Sequence, residues 1–276
     1  MSNVIKRAAA LVGLAAMLAL SASPVAAQDE ARVRVLHASP DAPAVDIYID
    51  DAIVDGWTNV PFGTLSDYMN VPGGSYNIKV YATGDTSMPV IDFDADVEAG
   101  MSYTVAAINS LESIDYAVFS DNPSLEYETA MVRVVHLSPD APNVDVAPDG
   151  AEAVVSDLAF PNATDYLALP PDTYDLEVRV AGTDTVALQL DPIDLMGGRA
   201  YSAFAIGSAA EQPLGDNGLE VIFAVDAEML PDTAAIDEPA TGGFGLIGMA
   251  LLVAVGAAAF AAFGVFGRKL FARENR

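Results

Sequence analysis

Two histidines are the first side chains in this sequence that could support chemistry, because imidazole acts as a general base or a metal ligand near neutral pH. They are His37 and His136, the only histidines of the chain, and no cysteine accompanies them. Catalysis would need partners within hydrogen-bond reach, and a zinc site would need further histidine or cysteine ligands. His37 shares a face with Val33 and Val35 and leads into a proline-rich turn. We therefore interpret it as a structural histidine that bonds a turn carbonyl or Asp41.

Serine and cysteine nucleophiles are not indicated. Ser39 and Ser138 each precede a proline, and neither lies in the Gly-x-Ser-x-Gly turn that exposes a nucleophilic serine. The chain has no cysteine. Carboxylates are then the remaining candidates for catalysis, so we predict a non-enzymatic protein without catalytic residues. An extracellular hydrolase that uses carboxylates is the alternative.

Groups of aspartates suggest a calcium site, because calcium prefers hard oxygen ligands in loops. The candidate ligands around one predicted hairpin are Asp46, Asp50, Asp51 and Asp55. Asp92, Asp94 and Asp96 alternate along a second predicted strand. None of these residues follows the EF-hand pattern, and alternating aspartates are also typical of a solvated strand face. Calcium is therefore a hypothesis from ligand type alone, and no other cofactor is predicted.

The acidic residues are concentrated in the middle of the chain. Between Asp29 and Glu238 lie 38 of the 39 acidic residues and six of the 12 basic ones, which gives a formal charge of −32. Such a surface repels phosphate backbones, so we exclude nucleic acid as a partner. Because disulfides are also excluded, an apolar core must hold this region together.

A tandem duplication organises the acidic region. The matching segments are 33–46 with 132–145, 62–80 with 160–178, Tyr103 with Tyr201, and Val118-Phe119 with Ile222-Phe223. These matches place the repeats at residues 31–122 and 130–227, followed by an acidic stalk at 228–243. About 95 residues can bury a core without disulfides, so each repeat is expected to fold alone.

The hydrophobic pattern within each repeat has a period of two. Val33 and Val35 alternate with Arg34, and the segment 45–50 alternates in the same way. This pattern is typical of half-buried antiparallel strands, and proline-rich turns separate the strands. About seven short strands without an amphipathic helix predict an all-β fold of two tandem immunoglobulin-like β-sandwich domains.

The repeats resemble a known family. The resemblance depends on three motifs. They are Val-Arg-Val-x-His-x-Ser-Pro-Asp-Ala-Pro-x-Val-Asp at the start of each repeat, Phe-Gly-x-x-Ser-Asp-Tyr at 62–68, and a later Gly-x-Tyr. They are similar to the family called domain of unknown function 4397, which occurs in exported prokaryotic proteins, commonly in tandem. The second repeat departs from the middle motif at 160–166. The resemblance implies a fold but no catalytic residues.

The two ends of the chain predict export and a membrane anchor. Residues 1–27 have a basic start, a short apolar stretch and a small-residue cleavage site, which are typical of a secretory signal peptide. Residues 244–266 form an uncharged run of 23 residues, long enough to span a bilayer. The basic tail at 267–276 predicts that this end stays in the cytoplasm.

A motif before the apolar run suggests a second kind of anchor. Glu238-Pro239-Ala240-Thr241-Gly242 resembles the sortase sorting signal Leu-Pro-x-Thr-Gly, with Glu238 in the place of leucine. If the resemblance holds, cleavage falls between Thr241 and Gly242 and attaches the protein to the cell wall. A flexible linker before a retained membrane helix is the alternative.

The combined prediction is an exported, non-enzymatic cell-surface protein for adhesion, envelope structure or ligand binding. The partners we expect are the membrane, through residues 244–266, and an envelope glycan or extracellular protein. Tyr48, Trp57 and Tyr81 are the aromatic residues that we expect to line a binding surface, whereas Tyr68 resembles a core or corner residue. A calcium-dependent adhesin is the alternative.

Overall fold

The computed structural model describes residues 30–210 and 217–229. The regular secondary structure within these residues consists of β-strands and one short 3-10 helix at Leu111–Ser113, which confirms the all-β prediction. The described residues include no helix that is long and apolar enough to cross a membrane. The predicted signal peptide, sorting motif, membrane helix and basic tail, and the stalk beyond residue 229, lie outside the described residues.

Eighteen strands follow one another along the two repeats. The first repeat contains β1 (Glu30–His37), β2 (Val45–Ile49), β3 (Ala52–Ile53), β4 (Met69–Pro72), β5 (Gly74–Ala82), β6 (Ile91–Val97), β7 (Ser102–Ile108) and β8 (Asp115–Ser120). The second contains β9 (Ala130–His136), β10 (Val144–Pro148), β11 (Val155–Leu158), β12 (Leu167–Leu169), β13 (Asp172–Tyr174), β14 (Leu176–Val180), β15 (Val186–Gln189), β16 (Ile193–Leu195), β17 (Arg199–Ile206) and β18 (Glu220–Glu228).

The first repeat has two four-stranded sheets. Its inner sheet has the order β4-β1-β7-β8, and its outer sheet has the order β3-β2-β5-β6. Their shared apolar cluster includes Val33 and Val35 of β1, Ile47 of β2 and Phe93 of β6. Trp57, in the loop after β3, joins this cluster and is 3% exposed. The prediction that Trp57 lines a surface is therefore wrong.

The second repeat follows the same plan. Its inner sheet has the order β12-β9-β17-β18, its outer sheet has the order β11-β10-β14-β15, and β13 and β16 form an additional two-stranded sheet. Val134 of β9, Val146 of β10 and Val178 of β14 lie in its apolar cluster.

The first strand of each repeat differs from the half-buried antiparallel strand that its alternation predicts. β1 pairs antiparallel with β4 but parallel with β7, and β9 pairs parallel with β17. Arg34 and Arg133 occupy the polar positions of the pattern, yet they are 2% and 3% exposed. Both faces of these strands are buried because the two repeats cover each other there.

An inter-repeat layer joins the inner sheets. It consists of Leu36, Ala38, Ala106 and Ile108 from the first repeat and Val135, Leu137, Phe204 and Ile206 from the second. All eight side chains are at most 3% exposed. The described parts of both repeats accordingly belong to one compact unit, although the boundaries 31–122 and 130–227 stay a prediction.

Buried ion pairs cross the layer in both directions. Arg34 of the first repeat binds the carboxylate of Asp226 in the second, and Arg133 of the second binds Asp121 in the first. We call these four residues, with the four hydroxyl groups that bond them, the reciprocal network. The hydroxyl donors to the carboxylates are Tyr68 and Thr104 at 2.6 Å from Asp121, and Tyr166 at 2.7 Å and Ser202 at 2.5 Å from Asp226.

The strand pairing corrects one of the sequence matches between the repeats. Tyr103 lies opposite Ser120, whereas its counterpart Tyr201 lies opposite Val225. Val118 therefore corresponds to Phe223, whereas the sequence match pairs it with Ile222. Phe119 packs in the inter-repeat layer and Phe223 packs on the opposite face against Tyr201, because a shift of one residue changes the face of a strand.

Candidate functional site

Two tyrosines lie side by side on the outer face of the first repeat's outer sheet. Tyr48 alternates with the core residue Ile47, and Tyr81 alternates with the core residue Val80, so both rings point away from the core. The rings meet edge to face with their centroids 5.1 Å apart. We call this pair the tyrosine platform; it agrees with the prediction that Tyr48 and Tyr81 line a surface.

Polar groups surround the tyrosine platform. Lys79 lies opposite Tyr48 in the strand pairing and its ammonium group contacts the Asp51 carboxylate at 2.5 Å. The Asn77 amide donates hydrogen bonds of 3.0 Å to both Asp92 and Asp94 on the neighbouring strand. An aromatic pair bordered by carboxylates, an amide and one ammonium group can bind a ligand that has both apolar C–H faces and hydroxyl groups.

The second repeat lacks this arrangement. The counterparts of Tyr48 and Tyr81 are Ala147 and Arg179, as judged from the strand pairing of the two outer sheets. Arg179 forms an ion pair with Glu177, which is the counterpart of Lys79. The tyrosine platform is therefore a property of the first repeat rather than of the duplicated fold.

The four predicted calcium ligands do not converge. Asp46 bonds the loops that contain Asn59 and Thr83. Its Oδ1 atom accepts hydrogen bonds from the backbone N–H of Asn59 at 2.7 Å and from the Thr83 hydroxyl at 3.1 Å. The Asn59 hydrogen bond is the main reason that the pKa of Asp46 is lowered. The Asp50 Oδ1 atom accepts a hydrogen bond from the backbone N–H of Asn77 at 2.9 Å. Asp51 is the partner of Lys79.

Asp55 completes the predicted set and is exposed in the loop after β3. Across residues 30–210 and 217–229, no three histidine, cysteine, aspartate or glutamate side chains come together in a way that could hold a metal ion. Calcium binding by this protein stays a prediction.

Both histidines are buried and bond turn carbonyls. The Nε2 atom of His37 lies 3.0 Å from the Pro43 carbonyl oxygen, and that of His136 lies 3.1 Å from the Pro142 carbonyl oxygen. Burial lowers the pKa of both imidazoles, so the neutral form is favoured in the folded protein. This geometry fits the structural role that the sequence favoured, with the carbonyl rather than Asp41 as the partner of His37.

The reciprocal network was not predicted from the sequence. Tyr68 was assigned to a core or corner, but its hydrogen bond to Asp121 and the role of that carboxylate were missed. A usable signal was present, because Arg34 and Tyr68 recur as Arg133 and Tyr166 in the second repeat. The recurrence of an arginine on an otherwise apolar strand indicates a partner for that charge.

Comparisons with known proteins add a family but no activity. The model of the family described as "Domain of unknown function (DUF4397)" matches residues 31–147 and 130–236. These matches support the predicted tandem arrangement. The comparison with curated proteins gives no match.

A solved carbohydrate-binding module has a limited structural similarity to the chain. It is CBMbc, of family CBM26, from Eubacterium rectale Amy13K in complex with maltoheptaose. The two chains are 12% identical, with 74% of this chain and 98% of that chain covered, and the TM-score is 0.22. This TM-score is too low to establish a shared fold.

Proposed function

The chain belongs to the DUF4397 family, and we propose that it is a non-enzymatic surface protein whose first repeat binds a neutral glycan. The observation that carries this proposal is the tyrosine platform, which lies on an outer sheet face away from the inter-repeat layer. The described region would act as a rigid support that presents this face.

We propose that each repeat is an immunoglobulin-like β-sandwich domain. Two four-stranded sheets with an apolar cluster between them support this assignment in the first repeat. The parallel pairing of β1 with β7 is a departure from a sandwich whose sheets are antiparallel throughout. The buried layer between the repeats would keep the two domains in a fixed arrangement.

We also propose that the protein is exported and attached to the cell envelope. The apolar signal at residues 1–27 and the span at 244–266 support this, as does the strongly acidic region between them. A retained membrane helix is favoured over sortase cleavage, because Glu238 places a charge where the sorting motif has an apolar leucine.

The anchor can be tested by C-terminal mass spectrometry of the protein from its own host. If the helix is retained, detergent should extract chains that still contain the tail at 268–276, since the uncharged span stays in the bilayer. Chains that end at Thr241, with processing lost in the Thr241→Ala variant, would show sortase cleavage instead. Full-length protein free in the medium would contradict both forms of attachment.

The glycan is expected to be neutral. Sugar rings present apolar C–H faces that pack on aromatic rings, and their hydroxyl groups bond carboxylates and amides. The platform offers the Tyr48 and Tyr81 rings together with the carboxylates of Asp92 and Asp94. An anionic glycan would be repelled by the net charge of the chain.

The glycan proposal predicts a loss of binding when either tyrosine is removed. The probes are immobilised dextran, mannan and xylan, with heparin as the anionic control. Tyr48→Ala and Tyr81→Ala should each weaken binding of the purified chain to the preferred neutral glycan by about tenfold, because central aromatic contacts dominate such interfaces.

The matched control is Tyr127→Ala, which changes a 58% exposed tyrosine in the connector between the repeats and should leave binding unchanged. Equal losses in all three variants would contradict a role for the platform. Binding of heparin alone would contradict the preference for neutral glycans.

A further inference from the structure

We propose that the second repeat contains a binding cavity for a small uncharged aliphatic molecule that carries one hydroxyl group. The cavity has a volume of about 270 Å³ and lies between the outer sheet and the edge strand β18 of the inner sheet. Its apolar lining includes Val144, Val178, Val180, Leu188, Ile206 and Val221. Three polar residues, His136, Ser138 and Glu220, also line it.

The corresponding region of the first repeat contains a much smaller cavity. There the rings of Phe93 and Tyr116 stack with centroids 3.7 Å apart, and the remaining cavity has a volume of about 30 Å³. Tyr116 lies opposite Ala107 in the strand pairing, and its counterpart Val221 lies opposite Ala205. Leu190 occupies the place of Phe93, since its amide bonds the Leu176 carbonyl oxygen at the corresponding position. Two aliphatic side chains thus replace an aromatic stack.

The cavity opens to solvent beside Val186, which is 45% exposed, so a ligand can enter it. A space of about 270 Å³ admits a short aliphatic chain with a polar end, and octanol is the probe of that class. The apolar lining favours the chain, and one hydrogen-bonding group at the wall would orient it.

Ser138 supplies that hydrogen-bonding group. It is 1% exposed, and its Oγ atom has no hydrogen-bond partner among the described residues. A buried hydroxyl without a partner is unfavourable, and a ligand hydroxyl in the cavity would satisfy it. Ser39, the counterpart in the first repeat, is also buried and unbonded within that part of the chain, but it does not line the cavity beside His37. The experiment below separates a ligand role for Ser138 from a feature shared by both repeats.

Glu220 makes the cavity selective against carboxylates. Glu220 lies at the start of β18, and its side chain is exposed at the rim of the cavity. Its Oε1 atom lies so near Gly63 of the first repeat that a Cβ atom there would be 2.9 Å away. The Glu220 carboxylate therefore lies where a ligand would enter the cavity. An anionic chain such as octanoate would be repelled, whereas octanol would not.

A thiol at the cavity tests the proposal in the full chain, which contains no cysteine of its own. Val221→Cys places the thiol in the cavity, and Tyr116→Cys places one at the counterpart position of the first repeat. The rate of modification by a thiol reagent is measured with increasing octanol. At about ten times its Kd, octanol should slow modification at position 221 about tenfold by mass action and leave position 116 unaffected.

Further variants identify the groups that bind the ligand. Ser138→Ala in the Val221→Cys chain should raise the Kd for octanol about fivefold, which is the effect expected when one ordinary hydrogen bond is lost. Octanoate should protect less than octanol, and Glu220→Gln should reduce that difference. Leu188→Phe fills the cavity and should abolish protection, which provides an independent test if Ser138→Ala lowers the melting temperature.

Three results would overturn the proposal. They are equal slowing at positions 116 and 221, no slowing at position 221, and an unchanged Kd for octanol in a folded Ser138→Ala chain. Equal slowing would show a general effect of octanol on the reagent or on the fold rather than occupancy of the cavity. None of these outcomes depends on whether the first repeat binds a glycan.

Discussion

Replacement of Arg34 by methionine is expected to lower the free energy of unfolding by about 3–5 kcal/mol, because it leaves the Asp226 carboxylate buried without its positive partner. The Arg34 side chain is 3% exposed and the Asp226 side chain is 0% exposed, so water cannot replace the lost ion pair. The Tyr166 and Ser202 hydroxyl groups would still bond the carboxylate but would not neutralise it. Chemical denaturation monitored by far-ultraviolet circular dichroism measures the change.

The duplicated arrangement provides a replicate and a control for this prediction. Arg133→Met removes the close partner of Asp121 and should also destabilise the protein, but by less, because Arg34 still lies 3.7 Å from that carboxylate. Arg199→Met removes an ion pair with Glu228 whose two side chains are 37% and 55% exposed, and it should cost at most about 1 kcal/mol. Similar small costs for all three variants would contradict a stabilising role for the reciprocal network.

A double variant separates the loss of a pair from the burial of a charge. Arg34→Met combined with Asp226→Leu removes both charges, so its cost should be well below the sum of the two single costs. The coupling is expected because each single variant leaves the other charge of the pair buried without its partner, whereas the double variant leaves neither. Simple additivity would show that Arg34 and Asp226 act independently.

The alternation of Val33, Arg34 and Val35 predicted a strand, but it could not predict what covers the polar face. A period of two tells which residues share a face, and an arginine on that face is ordinarily solvated. The partner of Arg34 is Asp226, 192 positions away in the other repeat. Only the three-dimensional arrangement of the repeats brings these residues together, so this part of the fold lay beyond the sequence pattern.

Two short apolar pairs could not fix the register of the last strands, so the sequence match of 118–119 with 222–223 is one position out. In β17 and β18 the pairing shifts between Ala200 and Tyr201, which leaves Asp226 as the extra residue. Such a bulge redirects a side chain, and here it accompanies the contact of Asp226 with the network. A match of two short apolar pairs in the sequence contains no information on a bulge.

The candidate site was predicted in part. Tyr48 and Tyr81 follow the strand alternation, so their outward direction could be read from the sequence. Trp57 lies in a loop, where no alternation applies, and its backbone bonds Ile47 and Val54 so that its ring enters the core. The cavity of the second repeat is lined by residues from separate strands, among them Val221, whose correspondence to Tyr116 becomes visible only through the strand pairing.

Separation of the two repeats should have the largest effect on stability. The sequence alone predicted that residues 31–122 and 130–227 each fold independently, but the inter-repeat layer changes this expectation. An isolated first repeat would expose Leu36, Ala106 and Ile108, and an isolated second repeat would expose Phe204 and Ile206. Each fragment would also retain one arginine and one aspartate of the reciprocal network without the partner in the other repeat.

We therefore expect the isolated fragments to melt well below the intact two-repeat unit or to aggregate, because loss of even one large buried apolar contact costs about 2–5 kcal/mol. Mixing the two fragments should restore cooperative melting near that of the intact unit, since the layer and both ion pairs can re-form between separate chains. Scanning calorimetry and analytical ultracentrifugation measure these two effects.

Arg34→Met in the first fragment should weaken the reassembly, which distinguishes docking through the network from non-specific association of apolar faces. Monomeric fragments that each melt at the temperature of the intact unit would show that the repeats are independent domains and that the layer contributes little to stability.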